Sequence, residues 1–348
     1  MGAGDRDMVN IGLVGLGYWG PNHLRVVQGS ERTKLKWICD TDPERLQRFS
    51  NRTRATPTTD LDQLLEDPDT DALIISTPIS THFEIGKRAL EAGKHVLIEK
   101  PMAGSSVEAD ELIALADRNG LAIMCGHTFL FSPPVVAVRE LINSGELGEI
   151  YFISSTRVNL GLHQPDLSVI WDLAPHDFSI LLSWLDEVPD TVSAIGRDSI
   201  LPGTPDVAFA NLGYASGLIA NVELSWLAPS KLRRTAVVGS KKMVVYDDTS
   251  VEQVRVFDQG VQLKDPETFG EHQLSYRTGD ILTPHLSSSE PIGVQLNAFV
   301  DSVKAGGADP EHTRIARDVI ELIEAAEHSL NNDGVRTSLE ELRADRFT

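Results

Sequence analysis

The fold class predicted by the sequence is an α/β Rossmann domain with a doubly wound parallel sheet, followed by an α+β domain with a large open, mainly antiparallel sheet. Three observations predict it. From Val9 to about Gly126 short apolar runs alternate with amphipathic segments, the pattern of buried parallel strands and their covering helices. Beyond about residue 148, strand-like segments follow one another with little helix between them, which suits hairpins. Gly15-x-Gly17-x-x-Gly20 falls where the first strand gives way to the first helix. The domain boundaries that follow are 1–127, with 1–8 disordered, for dinucleotide binding, and 128–348 for substrate binding and oligomerisation, with the last helices packing back on the first domain.

Each element has its own local reason. "VNIGLVG" is followed by "PNHLRVVQG", "LKWIC" by "PERLQRFSNR", "DALIIS" by "THFEIGKRALEAG" and "HVLIE" by "SVEADELIALADRNG", after which "LAIMCG" closes the sheet. Pro21 suits a first helical turn, where a missing N–H costs nothing. Ser80 is placed to cap the next helix, and Gly93 stands where a left-handed C-terminal residue belongs. After "PPVVAVRELINSGELG" come "EIYFISSTRV", "TVSAIGR", "VAFANLGY", "LIANVELSW", "RTAVVGS", "KMVVYDD" and "VEQVRVF", joined by turns such as Ala215-Ser216-Gly217 and Gly239-Ser240. Three helices complete the domain, at about 172–185, 291–305 and 311–330.

Composition narrows the function. A length of 348 residues exceeds one ordinary core, and 41% hydrophobic with 24% charged residues excludes disordered and fibrous classes. With 31 basic against 51 acidic residues the net charge is −20, which repels nucleic acid and anionic membrane, so an anionic ligand must be held by local donors. Cys39 and Cys125 lie in or beside apolar runs and are read as inert core thiols of a reducing cytoplasm, neither a disulfide nor a metal site. "MGAGDRDM" lacks the apolar core of a signal peptide, and no stretch approaches the ~18 apolar residues of a membrane span. A soluble, cytoplasmic protein is expected.

The glycine loop places its backbone against a pyrophosphate at a helix N-terminus, with Tyr18 and Trp19 inside the loop. Asp40 ends the next strand, where a carboxylate accepts adenosine-ribose hydroxyls and repels a 2′-phosphate, so NAD is favoured over NADP. Arg45 is close enough in sequence to reach such a phosphate, yet its spacing is that of a solvated helix residue. Thr77, Pro78 and His82 of "ISTPISTH", with Glu99 and Lys100 of "HVLIEKPM", occupy strand ends, where doubly wound sheets bind ligands. Taken alone, Glu-Lys-Pro is equally a solvated turn. In "VIWDLAPHDFSILLSWL", Asp172 and His176 are four apart and share a helical face. Ordinary capping accounts for the same residues, with Asp172 as N-cap, Pro175 in the first turn and His176 a satisfied polar group. The readings are compatible, because a helix start holds an imidazole neutral and able to accept a proton.

"GLVGLGYWG", "EKP" and "DLAPHD", in that order, resemble the Gfo/Idh/MocA oxidoreductases over nearly the whole chain. "GHTFLFSP" and "RVNLG" resemble bacterial members acting at C3 of nucleotide-linked or amino sugars, although many members carry an arginine and a second aromatic near His127–Phe131. The resemblance implies that Glu99 holds nicotinamide-side hydroxyls, that Lys100 reaches the reacting oxygen, and that Lys100–Pro101 is cis. It also implies that Asp172 and His176 match the acid–base pair of the inositol dehydrogenase branch, and that homodimers or homotetramers pair through the C-terminal sheets. The expected activity is reversible oxidation of a ring hydroxyl on a sugar, nucleotide sugar, amino sugar or cyclitol. Lys100, Asp172 and His176 are its catalytic set; with His176, the residues Arg157, Asn159 and His163 are its candidate substrate contacts and equally read as edge-strand and turn residues, while Trp171 reads as a core tryptophan or as a platform for a sugar ring. The alternatives are an epimerase or glycosidase that recycles NAD, and an inactive sensor that keeps the fold; Lys100, Asp172 and His176 argue against the sensor.

Overall fold

The computed structural model describes residues 8–161, 167–263 and 274–345. Of the segment 1–8 read as disordered, residues 1–7 lie outside the described residues. Contacts divide the chain into two units, Met1–Phe131 with Ser289–Ile320, and Ser132–Ser288 with Glu321–Thr348.

The first unit contains β1 (Val9–Val14), β2 (Thr33–Cys39), β3 (Thr56–Thr58), β4 (Ala72–Ile75), β5 (His95–Ile98) and β6 (Ile123–Cys125). All pair in parallel, in the order β3-β2-β1-β4-β5-β6. The order reverses between β1 and β4, which opens the crevice at the strands' carboxyl ends where such sheets bind ligands. Helices α1 (Gly20–Gly29), α2 (Pro43–Ser50), α3 (Asp62–Glu66), α4 (His82–Glu91) and α5 (Ser106–Asn119) connect the strands. Ile11, Leu13, Ile38, Ile74 and Leu97 are almost fully buried, each contributing about 1.5–3 kcal/mol of burial free energy. Asp42 caps α2 by accepting the N–H groups of Glu44 and Arg45, and Ser105 caps α5 through Glu108. Gly93 has φ +75, as expected of it. Ser80 is not a cap: it lies inside a 3₁₀ turn, Ile79–Thr81, which pushes the start of α4 to His82. Both cysteines are buried free thiols, and burial raises Cys39 to about 11, which keeps it protonated and unreactive.

The second unit opens with α6 (Pro133–Asn143), β7 (Ile150–Leu160) and α7 (Val169–Trp184). Strands β8 (Thr191–Arg197), β9 (Val207–Gly213), β10 (Ile219–Ser225), β11 (Leu227–Gly239), β12 (Met243–Asp247) and β13 (Val254–Phe257) follow. A two-stranded ribbon, β14 (Gly260–Leu263) with β15 (Leu274–Arg277), stands apart from β16 (Ile281–Leu282), which rejoins the main sheet. With β17 (Thr337–Ser338) the main sheet has nine strands, in the order β16-β13-β12-β11-β7-β10-β9-β8-β17. It is antiparallel except where β7 meets β10. β11 begins seven residues before the apolar run "RTAVVGS", because "LAPSKLR" pairs through its backbone with no apolar signature, across a register shift between Leu227 and Leu232.

Helix α7 also starts earlier than the sequence suggests. Ser168, not Asp172, is the N-cap and accepts the Trp171 N–H at 3.4 Å. Pro175 therefore lies inside the helix, past the first turn, where it forgoes one main-chain hydrogen bond. Burial of Phe178, Ile180, Leu181, Leu182 and Trp184 outweighs that loss.

Two long helices close the chain. α8 (Pro291–Ala305) belongs to the first unit, where Leu296, Phe299 and Val300 join the core under β1 and α1. α9 (Pro310–Asn331) contributes residues through Ile320 to the first unit and from Glu321 to the second, and α10 (Leu339–Asp345) follows β17. Among the described residues no helix is long and apolar enough to cross a membrane.

Trp184 is 1% exposed, donates its indole N–H to the Val135 carbonyl at 2.9 Å and stands edge-on to Tyr246. Trp184→Ala should cost about 3–5 kcal/mol by urea denaturation of the second unit's transition, and a loss under about 1 kcal/mol would show that this contact does not hold the sheet to its helices.

Candidate active site

The glycine loop follows β1. Gly15 has φ +90, and a Cβ there would lie 2.6 Å from the Ser76 carbonyl oxygen. Gly20 is equally constrained, since its Cβ would lie 2.3 Å from the Gly15 carbonyl oxygen. At Gly17 a Cβ would meet nothing within 4 Å, so the exposed backbone is open to a ligand. Tyr18 is 82% exposed and Trp19 is half-buried at the N-cap of α1. That cap makes no side-chain hydrogen bond and the first turn carries no acidic residue, so the helix presents its first N–H groups and positive dipole end to an anion. These features fit a dinucleotide pyrophosphate.

At the adenosine end, Asp40 is buried and already bonded. Its Oδ2 accepts the Leu16 N–H at 2.7 Å and its Oδ1 the Asp42 N–H at 2.9 Å. Arg45 Nη1 lies 3.3 and 3.2 Å from the same two oxygens. The solvated role read for Arg45 is thus corrected: five residues on from Asp40, it leans back from α2 onto the carboxylate. Four hydrogen bonds fill the acceptor sites of the carboxylate, and Arg45 supplies two of them.

The chemical end is the turn after β5. Glu99 N–H donates to the Ile75 carbonyl at 2.8 Å and Gly126 N–H to the Ile98 carbonyl at 2.7 Å, which brings the ends of β4, β5 and β6 together. Lys100–Pro101 is cis, as the family resemblance implies. Glu99 is buried, with Oε1 2.7 Å from His23 Nε2 and Oε2 accepting the Lys100 N–H at 3.2 Å. Lys100 is half-buried. Thr77 accepts the Thr81 hydroxyl at 2.7 Å, and Pro78 is exposed beside it.

His82 requires a correction. It is 1% exposed, with Nδ1 2.8 Å from the Pro101 carbonyl oxygen and Nε2 2.8 Å from that of Thr77, so the ring is turned to main-chain acceptors, to one of which its single N–H donates when neutral. Burial lowers its pKa, against the two carbonyls and Glu99, which raise it. His127, 2% exposed, has no hydrogen-bond partner for its ring among the described residues. Burial, with Lys100 and His312 nearby, lowers it to about 3, so it is neutral at physiological pH. The sequence reading passed over His23. Its signal was a polar residue in the apolar stripe of α1, among buried Gly20, Leu24 and Val27.

In the second unit, Asp172 and His176 are half-buried one turn apart on α7, beside half-buried Trp171. Asp172 Oδ2 accepts the Trp226 indole N–H at 3.0 Å. Arg157 is not an open substrate contact: it is 2% exposed, and its guanidinium is paired with Asp177, which also accepts the Ser155 hydroxyl at 2.7 Å. A cation this deep is retained because it is paired. Asn159 is half-buried near the end of β7, and His163 lies outside the described residues.

Comparison with known proteins identifies the family. A model described as the oxidoreductase family with an NAD-binding Rossmann fold matches residues 9–127, and one for the GFO/IDH/MocA C-terminal domain matches residues 135–245. The chain belongs to the Gfo/Idh/MocA family. Its cofactor is NAD, and Gfo/Idh/MocA members are oxidoreductases. A 1-carboxy-3-chloro-3,4-dihydroxycyclohexa-1,5-diene dehydrogenase of Comamonas testosteroni is 32% identical over 63% of this chain, and the match spans 58% of that relative's length. A UDP-N-acetylglucosamine 3-dehydrogenase of Acidithiobacillus ferrooxidans is 29% identical over 65% of this chain and 70% of its own. The solved structure of GenD2 from gentamicin A biosynthesis, in complex with NAD, shares the fold with a TM-score of 0.80 at 24% identity, covering 95% of this chain and 96% of its own.

The contact between Arg45 and Asp40 makes a testable prediction about the choice of nucleotide. Asp40→Ala should narrow the ratio of NAD to NADP affinity by about tenfold or more, the size of one charge-assisted hydrogen bond, and Arg45→Ala should widen it. Fluorescence titration with both nucleotides checks this, and a ratio unmoved in both variants would remove the pair from cofactor selection.

Proposed function

We propose that this member of the family is an NAD-dependent dehydrogenase that interconverts a ring hydroxyl and a ketone on a sugar, nucleotide sugar, amino sugar or cyclitol. The observation that supports it most directly is Lys100, half-buried at the carboxyl end of β5 and carried on a turn whose neighbour Glu99 is buried and hydrogen-bonded. Two relatives whose names describe dehydrogenases of hydroxylated rings support the substrate class.

Bound NAD supplies the hydride acceptor. Oxidising a carbinol also requires the hydroxyl proton to leave, and His176 is the base that takes it. Asp172, one helical turn before it, orients the imidazole and favours the cation that forms. The Lys100 ammonium stabilises negative charge developing on the oxygen, and in reduction the same groups work in reverse.

Screening polyols, sugars and nucleotide sugars for growth of the reduced-nicotinamide absorbance tests the reading. Lys100→Ala and His176→Ala should each lower kcat by about 10²-fold or more on the substrate found. If neither variant is slowed as much as about tenfold, the assignment of these residues is wrong.

We also propose a homo-oligomer that pairs through the nine-stranded sheet. Ile195, Phe209, Ile219 and Phe152 are between 40% and 61% exposed, and the sheet register sets Ile195 opposite Phe209 and Ile219 opposite Phe152. Exposed apolar cross-strand pairs on one sheet face are the mark of a covered surface. Phe209→Asp should shift the species seen by light scattering to a smaller one at micromolar concentration, and an unchanged mass would exclude this face.

A further inference from the structure

Glu99 and Lys100 have proposed tasks, but neither task says what holds their turn in place. His23 is 3% exposed, and its Nε2 lies 2.7 Å from Glu99 Oε1. The other oxygen, Oε2, receives the Lys100 main-chain N–H, and a side chain at Gly126 would begin 3.0 Å from it. The carboxylate is therefore enclosed by α1, by its own turn and by the residue after β6. His23 sits in the first turn of α1, the helix whose uncapped N-terminus follows the glycine loop. One imidazole thus joins the helix that meets the pyrophosphate to the turn that carries Lys100.

We infer that His23 is a positioning residue that fixes the Glu99 carboxylate, and through it the Lys100 turn, in register with the glycine loop. His82 packs against the same turn, with Nδ1 2.8 Å from the Pro101 carbonyl oxygen. Without the His23 donor, a buried carboxylate must shift to find another partner, and the turn shifts with it. Misplacement by about 1 Å at a reacting centre can cost about 10²-fold in rate, so a residue that touches no reactant has a kinetic signature. The inference rests on the proposed role of Lys100, and it makes a separate claim about NAD affinity.

The test compares His23→Phe, which fills the space without a donor, with His23→Gln, whose amide N–H can take the place of Nε2–H. His23→Phe should weaken NAD binding about tenfold by calorimetry and lower kcat about 10²-fold, with the KM of the polyol within about threefold of wild type. His23→Gln should return NAD affinity and kcat to within about threefold of wild type. If His23→Phe leaves NAD affinity and kcat within about twofold of wild type, whatever its melting temperature, the inference is overturned. It is equally overturned if His23→Gln is as impaired as His23→Phe. Should His23→Phe not fold, His23→Asn replaces it, because that amide stops short of Glu99. Lys100→Ala is measured in parallel: if it keeps turnover, the role of Lys100 fails, while NAD affinity across the His23 variants still decides the role of His23.

Discussion

The buried carboxylate of Glu99 is the constraint on which the first unit's chemistry depends. A chain does not leave a charge in its interior unless that charge is bonded, and here one partner is distant in sequence and the other is the next residue. The imidazole of His23 comes from α1, and the Lys100 N–H comes from the turn. Gly126 supplies the space, since a larger residue there would collide with Glu99. The result is a turn tied by one hydrogen bond to α1, the helix that follows the glycine loop.

The second unit solves a similar problem in the same way. Arg157 on β7 and Asp177 on α7 form a buried ion pair, with Ser155 bonded to both Asp177 and Thr235. This sets how α7 lies on its strand. His176 precedes Asp177, so it is turned about 100° round the helix from the anchored face. That rotation accounts for a half-buried His176 beside a fully buried Asp177. Glu321, also fully buried, is held by a two-pronged contact from Arg343, at 2.8 and 2.7 Å.

Much of this was legible from residue order. Alternating apolar runs marked five of the six parallel strands, all but the three-residue edge strand β3, whose Thr-Pro-Thr carries no apolar run, and Gly15, Gly17 and Gly20 marked the loop, because close backbone approach excludes side chains whatever the rest of the fold does. Short-range signals misled where a competing local structure won. The 3₁₀ turn Ile79–Thr81 took Ser80 away from its helix, and Ser168 capped α7 ahead of Asp172. The N-terminal part of β11 carried no apolar pattern, so its pairing with β7 could not be foreseen.

By itself the sequence determined which chemical groups sit at strand ends, the glycine loop, Asp40, Glu99 and Lys100, and that Asp172 and His176 share one helical face. Spacing of 2 and 3.6 residues and the steric demands of glycine are local properties, and they survive without knowledge of the fold. Only the tertiary structure decided what each group touches. It set Arg45 on Asp40, His23 on Glu99, His82 on two carbonyls and Arg157 on Asp177. Three of these five contacts join residues at least 19 apart, and the hydrogen bonds that satisfy a buried charge come from whichever elements happen to pack there.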